Sequence, residues 1–300
     1  MRRGLPDDGG ALKVVAGSAS VGLARELAKT TGADFVDVAY EKHAGGFPDG
    51  ERYVRVMDAL EGESVSVVAS THPDPMIVEL LLLLDAVRDL RPRRVTLVIP
   101  YFGYGRQDRR FESGEAVSAK ALARHLSEGV DEVLTMGLHS PDILKFFEVP
   151  AREVSGMPAV GRFLKTREID LVLAPDRGAV RHAKEVASAS GKPWDALEKT
   201  RIDSYTVRFE PKRLDVRGRR VAIIDDVIST GGTVALAAKE LQAQGAKHVL
   251  VATLHGLFVG NAWDKLAVCD EVASSDTVPS RATKFSVAPE LAAGIKAARP

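Results

Sequence analysis

The chain has 300 residues, with 41 Lys+Arg against 41 Asp+Glu, 45% hydrophobic residues and 27% charged ones. This is the composition of a globular protein long enough for two α/β domains, and its balanced charge argues against binding nucleic acid through bulk electrostatics. The single cysteine, Cys269, excludes an intramolecular disulfide and a multi-cysteine zinc site.

In chain order, Met1 to Gly10 is charged and glycine-rich and reads as a loose extension without a signal peptide. Leu12 to Ala16 predicts a short strand, followed by Gly17-Ser18-Ala19-Ser20 and a helical pattern carrying Leu23, Ala24, Leu27 and Ala28. Phe35 to Val38 and Val65 to Ser70 predict further strands. Asp74 to Leu90 predicts a well-buried helix; its leucine run, Leu80 to Leu84, stops at Asp85, far short of a membrane span, so the expected setting is the cytoplasm. Val95 to Ile99 predicts a strand, Ala116 to Leu126 a helix and Glu132 to Met136 a strand. In the second half, strands are predicted at Leu171 to Ala174, Val221 to Ile224 and His248 to Leu254. Between them, Glu198 to Arg220 is charged, lacks a strong period and reads as a mobile loop or hairpin. Val287 to Ala298 reads as a short strand and helix packing back on the first half. Alternating strands and helices predict an α/β protein with mainly parallel sheets flanked by helices, in two domains of similar architecture divided near Ala151 to Gly156.

The most informative segment is Val221 to Thr233. Apolar residues run into Asp225 and Asp226; after Val227 and Ile228 come Ser229, Thr230, Gly231, Gly232 and Thr233, and then a helical pattern. This predicts a buried strand, a turn carrying paired carboxylates, and a small-residue loop opening onto a helix. Backbone N–H groups and the positive end of the helix dipole suit an anion there. Two carboxylates beside them suit a pair of neighbouring hydroxyls. A ribose carrying a 5-phosphate satisfies both; a solvated strand–turn–helix is the plainer reading.

Other polar clusters also follow predicted strands, where ligands of open α/β sheets bind. Tyr101 to Arg110 holds Arg106, Gln107, Asp108 and two further arginines, and arginine forks suit polyphosphate. His139 and Asp176 each stand at a strand end, within reach of a metal or equally of an ordinary hydrogen-bond partner. Magnesium prefers oxygen ligands and keeps its waters, so His139 would act on it through water. Phe47, Asp49, Gly50 and Glu51 read either as an Asp-Gly turn or as a base-stacking and amine-accepting pocket. Lys199 and Arg201, two apart, face one way in an extended segment, and read either as a solvated charge run or as cations that close on a phosphate. There is no Gly-x-x-x-x-Gly-Lys-[Ser/Thr] loop, no Gly-x-Gly-x-x-Gly after a strand and no Gly-x-Ser-x-Gly elbow.

With these motifs in this order, the chain resembles the ribose-phosphate pyrophosphokinase family, also called phosphoribosyl pyrophosphate (PRPP) synthases. The resemblance covers about Lys13 to Pro279 and rests on Phe47 to Glu51, Tyr104 to Asp108, Ala116 to Lys120, Leu138-His139 with Phe146-Phe147, Pro175-Asp176, Lys199 to Arg201, Asp225 to Thr233, and Thr253 to Phe258. Asp225 to Thr233 alone indicates only the broader phosphoribosyltransferase group; the first-half motifs narrow it to the synthases. The resemblance implies two phosphoribosyltransferase-like domains, residues 1–153 and 154–283, with a tail, 284–300, that packs on the first. It implies transfer of the β,γ-diphosphoryl group of Mg·ATP to the 1-hydroxyl of ribose 5-phosphate, giving PRPP and AMP, in a homo-oligomer built from dimers, with no nucleic-acid or membrane partner. Carried over by position, Asp225 and Asp226 would hold the ribose 2- and 3-hydroxyls and Ser229, Thr230, Gly231, Gly232 and Thr233 the 5-phosphate. Arg106, Gln107 and Asp108 would belong to the ATP site. Phe47, Asp49, Gly50 and Glu51 would form the adenine pocket, supplied in this family by a neighbouring subunit. His139 and Asp176 would belong to the Mg²⁺ site, and Lys199 and Arg201 would stabilise the transferring group, Arg201 also reaching the ribose 5-phosphate.

The chain departs from the commonest family pattern at Ser229, often acidic, at Gly137, often Asp, and at Arg177 inside the Pro-Asp-x-Gly turn. Phe111 to Glu115 looks closer to the archaeal-type branch, which leans against allosteric control by ADP. Three rival readings remain: a phosphoribosyltransferase that consumes PRPP, a non-catalytic synthase-like regulatory subunit, and an RNA-binding regulator on the same fold.

Overall fold

The computed structural model describes residues 11–41, 47, 49–197, 199–201, 207–209 and 214–297, with 199–201 and 207–209 described by backbone alone. The extension read at Met1 to Gly10, together with Pro48 and Glu198, lies outside the described residues. The chain divides into two units, Met1–Ser155 with Ala288–Pro300, and Gly156–Val287.

Unit one runs β1 (Leu12–Ala16), α1 (Val21–Thr31), β2 (Asp34–Val36), β3 (Val38–Ala39), β4 (Arg55–Val56), β5 (Ser64–Val68), α2 (Pro75–Asp89), β6 (Arg94–Ile99), α3 (Ser118–Ser127), β7 (Glu132–Met136) and β8 (Ala151–Val154). Its sheet has the order β2-β1-β5-β6-β7-β8, and every pairing is parallel. Unit two runs α4 (Met157–Lys165), β9 (Leu171–Ala174), α5 (Val180–Ser190), β10 (Trp194–Ala196), β11 (Lys199–Arg201), β12 (Val207–Phe209), β13 (Arg220–Ile228), α6 (Gly232–Ala243), β14 (His248–Gly256), α7 (Ala262–Leu266), β15 (Glu271–Ser275) and β16 (Thr283–Phe285). Its sheet, β10-β9-β13-β14-β15-β16, is again wholly parallel. The last helix, α8 (Ala288–Ala297), returns to unit one and packs on α1, β7 and β8.

The two units repeat one plan. Sheet positions match strand for strand, and each unit inserts a short antiparallel hairpin before its third sheet strand: β3–β4 in unit one, β11–β12 in unit two. The central strands are apolar because helices cover both faces of a parallel sheet. Val65, Val67, Leu97 and Ile99 anchor the first core with Leu80, Leu83 and Leu126, and Ile223, Val249 and Val251 anchor the second with Leu241. Burying each such side chain contributes about 1.5–3 kcal/mol.

Several expectations need correction. The strand read at Phe35 to Val38 breaks at Asp37, whose carbonyl accepts from Met57 N–H at 3.0 Å and so starts the hairpin. The carboxylates Asp225 and Asp226 do not lie on a turn: β13 continues through them to Ile228, held by parallel pairing of Asp225 with Thr253 and Val227 with His255. The leucine-rich helix α2 is not buried all round. Met76, Leu80, Leu83, Leu84 and Val87 reach the core, while Val78, Leu81 and Leu82 are 53%, 40% and 40% exposed. A helix lying on one sheet face turns only one stripe inward. The tail holds a helix but no strand of its own; Thr283–Phe285 is the edge strand of unit two.

Candidate active site

Unit two builds its polar end from three neighbouring strands. Asp225 and Asp226 stand on β13 between β9 and β14, at the carboxyl ends of the parallel strands. Asp226 N–H donates to Asp225 Oδ1 (3.0 Å), Val227 N–H donates to Asp226 Oδ1 (2.9 Å), and Thr253 Oγ1 donates to the Asp226 carbonyl (3.1 Å). Burial pushes the Asp225 carboxyl well above the usual range, and the neighbouring charges of Asp226 and Asp176 push it further. Burial alone would raise Asp226 as well. His182, a hydrogen bond with Asp225, and His255 outweigh it and hold Asp226 below the usual range.

The loop after β13 ends at Gly231, whose φ of 71° is the left-handed region, and a Cβ there would meet Leu266 Cγ at 3.1 Å. Glycine is the residue that turns the chain there without clash. Gly231 caps α6 with no side-chain hydrogen bond, so the first N–H groups of that helix have no side-chain partner at the cap. From below, Leu257 and Phe258 N–H donate to the Ile228 carbonyl (2.9 and 3.2 Å), and Val259 N–H donates to that of Ser229 (3.0 Å). The result is a braced loop over an open helix N-terminus beside two carboxylates, an arrangement suited to an anion next to a diol.

Asp176 follows β9 and accepts from Gly178 N–H (2.9 Å) and Ala179 N–H (3.3 Å), which fixes its carboxylate at the start of α5. Lys199 and Arg201 share strand β11, paired with Phe209 and Val207 of β12.

Unit one has its own cluster. Arg106, Gln107 and Asp108 lie in the loop between β6 and α3, where Gln107 N–H donates to the Tyr104 carbonyl (3.1 Å) and Ala119 N–H to that of Gln107 (3.2 Å). Gly103 passes so close to the preceding crossover that a Cβ would meet the Thr71 carbonyl oxygen at 2.6 Å, and its N–H donates to Thr71 Oγ1 (2.7 Å). The next loop brings His139 against the first: a Cβ on Gly105 would sit 3.5 Å from His139 Cβ. His139 is exposed, and Glu153 Oε1 holds its loop by accepting from Leu138 N–H at 2.7 Å. Phe47, Asp49, Gly50 and Glu51 form a turn in the β3–β4 hairpin: Gly50 N–H donates to the Phe47 carbonyl (3.0 Å) and Glu51 N–H to Asp49 Oδ1 (3.0 Å). The ring of Phe47 meets that of Tyr53 edge-on at 5.8 Å.

The candidate residues thus fall into two groups by unit. Unit two holds Asp176, the hairpin residues Lys199 and Arg201, and Asp225 to Thr233; unit one holds the 47–51 turn, Arg106 to Asp108 and His139. Sequence reasoning gave no role to His182 or His255, which flank Asp226, or to Glu79. The one available signal for His182 is its place six residues after Asp176, in the first turn of α5.

Comparison with known proteins gives this geometry a family. The family description "N-terminal domain of ribose phosphate pyrophosphokinase" matches residues 12–129, and "Phosphoribosyl transferase domain" matches residues 159–287. A ribose-phosphate pyrophosphokinase of Methanopyrus kandleri is 41% identical over 289 residues, covering 94% of this chain and 98% of its own. The chain belongs to the ribose-phosphate pyrophosphokinase family. A second archaeal member, from Methanothermobacter thermautotrophicus, is 41% identical over 284 residues, covering 93% of this chain and 98% of its own. The crystal structure of phosphoribosylpyrophosphate synthetase from Mycobacterium smegmatis superposes with a TM-score of 0.78 at 30% identity, over 96% of this chain and 98% of that one. Both units therefore carry the family's fold, two parallel-sheet α/β domains flanked by helices.

Proposed function

We propose that the chain is a ribose-phosphate diphosphokinase, which transfers the diphosphoryl group of Mg·ATP to the 1-hydroxyl of ribose 5-phosphate. The observation that carries this reading is the cradle of unit two: ionised Asp226 beside Asp225, next to the α6 N-terminus that opens at Gly231. The carboxylates accept from the 2- and 3-hydroxyls, and Ser229 to Thr233 with the helix N-terminus take the 5-phosphate. That leaves the 1-hydroxyl as the free end of the bound sugar. Its oxygen attacks the β-phosphorus of ATP; the bond from that phosphorus to the α,β-bridging oxygen breaks, and AMP leaves with the electron pair. The 1-hydroxyl proton passes to solvent. Such a transfer needs positioning and charge neutralisation more than covalent chemistry.

On the ATP side, Arg106, Gln107 and Asp108 hold the triphosphate, and Phe47, Asp49, Gly50 and Glu51 hold the adenine. Lys199 and Arg201 neutralise charge that builds on the diphosphoryl group in transit. The donor set fits magnesium of the kind that arrives with a nucleotide. Asp176 offers hard carboxylate oxygens near Asp225, whose carboxyl feels its charge. Asp176 would hold the metal directly and His139 through water; when bound, it neutralises phosphate oxygens. With this reading go a cytoplasmic setting, no nucleic-acid or membrane partner, and a homo-oligomer of dimers. No helix among the described residues is long and apolar enough to cross a membrane. The exposed Val78, Leu81 and Leu82 on α2 favour burial against a second copy.

A phosphoribosyltransferase that consumes PRPP has no use for the Arg106–His139 cluster. A non-catalytic subunit has no need of Lys199 and Arg201. The assay is direct: with ribose 5-phosphate, Mg²⁺ and ATP the protein should form AMP and PRPP in equal amounts, only when all three are present. Absence of AMP would favour the regulatory subunit.

A further inference from the structure

Glu79 is a carboxylate in the core of unit one. It sits on the inward stripe of α2, 1% exposed, amid Met76, Leu80 and Leu83. Its Oε1 accepts from Ser18 N–H (2.7 Å) and its Oε2 from Ser18 Oγ (2.8 Å), at the turn that follows β1. Its counter-ion is Arg52, whose Nη1 lies 3.4 Å from Oε2. Tyr40 stands close enough for burial and the Glu79 charge together to push its phenol up, and it donates to the Ala16 carbonyl. Tyr40 and Arg52 belong to the connection between β3 and β4. Glu79 therefore gathers both flanks of the hairpin loop onto α2 and the end of β1.

The repeated plan shows what this does. In unit two the matching hairpin, β11–β12, carries Lys199 and Arg201. In unit one the matching hairpin carries Phe47, Asp49 and Glu51, and Arg52 directly follows Glu51. The buried charge is tied to the hairpin at the residue next to the turn. A buried carboxylate that loses its counter-ion is strongly disfavoured, so the pair resists opening.

We propose that the Arg52–Glu79 ion pair is a latch that fixes the Phe47–Glu51 turn and thereby sets affinity for ATP, which makes Arg52 and Glu79 positioning residues for the nucleotide. This rests on the assignment of Phe47 to Glu51 to the adenine. The latch takes no part in ribose 5-phosphate binding. Arg52 is the better probe, because its side chain is 38% exposed and its loss opens no core cavity.

The test is calorimetric titration of Mg·ATP into wild type, Arg52→Ala, Arg52→Lys, Glu79→Gln and the double variant R52A/E79Q, with KM for both substrates alongside. Arg52→Ala should weaken ATP binding about tenfold, because a loose turn must be ordered on binding. Arg52→Lys should recover to within about threefold, since it keeps the charge. The double variant should bind about as Arg52→Ala does, since the two residues act as one device. KM for ribose 5-phosphate should stay within about twofold, a split that general destabilisation would not produce. ATP binding by Arg52→Ala equal to wild type, or an Arg52→Lys variant as weak as Arg52→Ala, overturns the latch alone. Wild type that fails to bind Mg·ATP overturns the adenine assignment and the latch with it.

Discussion

Asp225 and Asp226, neighbours on one strand, divide the charge of their pair unequally. Burial, Asp226 and Asp176 keep a proton on Asp225 to higher pH than usual, while His182, the hydrogen bond with Asp225 and His255 outweigh burial and keep Asp226 ionised. A diol bound there, as proposed, would meet one charged acceptor and one carboxyl that can also donate.

The two carboxylates should respond differently to amidation. Asp226→Asn removes the charged acceptor and should raise KM for ribose 5-phosphate about 10–100-fold, the range for a charge-assisted hydrogen bond. Asp225→Asn mimics the protonated form and should raise it less. Stability has its own sign. Asp225 has a raised folded-state pKa, so its contribution is fully present below its unfolded value and is lost as pH rises through the folded one. Asp226 is depressed, and its contribution is lost only as pH falls below the ordinary value of 3.8. Asp225→Asn should therefore melt higher than wild type at alkaline pH, with the gap closing towards acid, as thermal melts across pH would show.

The proposed anion cradle depends on one backbone conformation. Gly231→Ala forces a side chain into the left-handed region against Leu266, at a cost of about 1–2 kcal/mol. Melting should fall by a few degrees, and KM for ribose 5-phosphate should rise while ATP binding holds. An unchanged KM would separate the loop from phosphate recognition.

Gly103→Ala makes the corresponding test in unit one. The new methyl would meet the Thr71 carbonyl at 2.6 Å, and the backbone must shift. Because Gly103 opens the loop that carries Arg106 and Gln107, ATP binding should weaken and ribose 5-phosphate binding should not, as titration of each ligand would report.

Lys199→Ala and Arg201→Ala should lower kcat by roughly 10³-fold or more, the range for losing a cation that neutralises a transferring phosphoryl group. Ribose 5-phosphate binding should remain largely intact in Lys199→Ala and weaken less than turnover in Arg201→Ala. Near-normal turnover in both variants would remove the hairpin from the chemistry.

The strand, its paired carboxylates and the small-residue loop before α6 were legible because they are local: they stand in sequence order at Val221 to Thr233. The alternation of elements likewise revealed the α/β class. What stayed hidden depends on contacts across the fold. The cross-strand pairing of Asp225 with Thr253 carries β13 past the point where hydrophobicity ends. His182 and His255 meet Asp226 only once α5 and β14 are placed beside β13. Glu79 sits inside a leucine-rich helix, where one carboxylate reads as a solvent-facing break; its partners Ser18 and Arg52 lie 61 and 27 residues away. Short edge strands such as β10 and β16 have too few residues for a period to show.

In the proposed reaction an intact diphosphoryl group moves from ATP to the sugar. The most direct measurement uses ATP labelled in its γ-phosphate, with ribose 5-phosphate and Mg²⁺, followed by separation of the products. The label should appear in PRPP, mole for mole with unlabelled AMP. Label recovered as free phosphate or pyrophosphate, with ribose 5-phosphate unconsumed, would contradict the account.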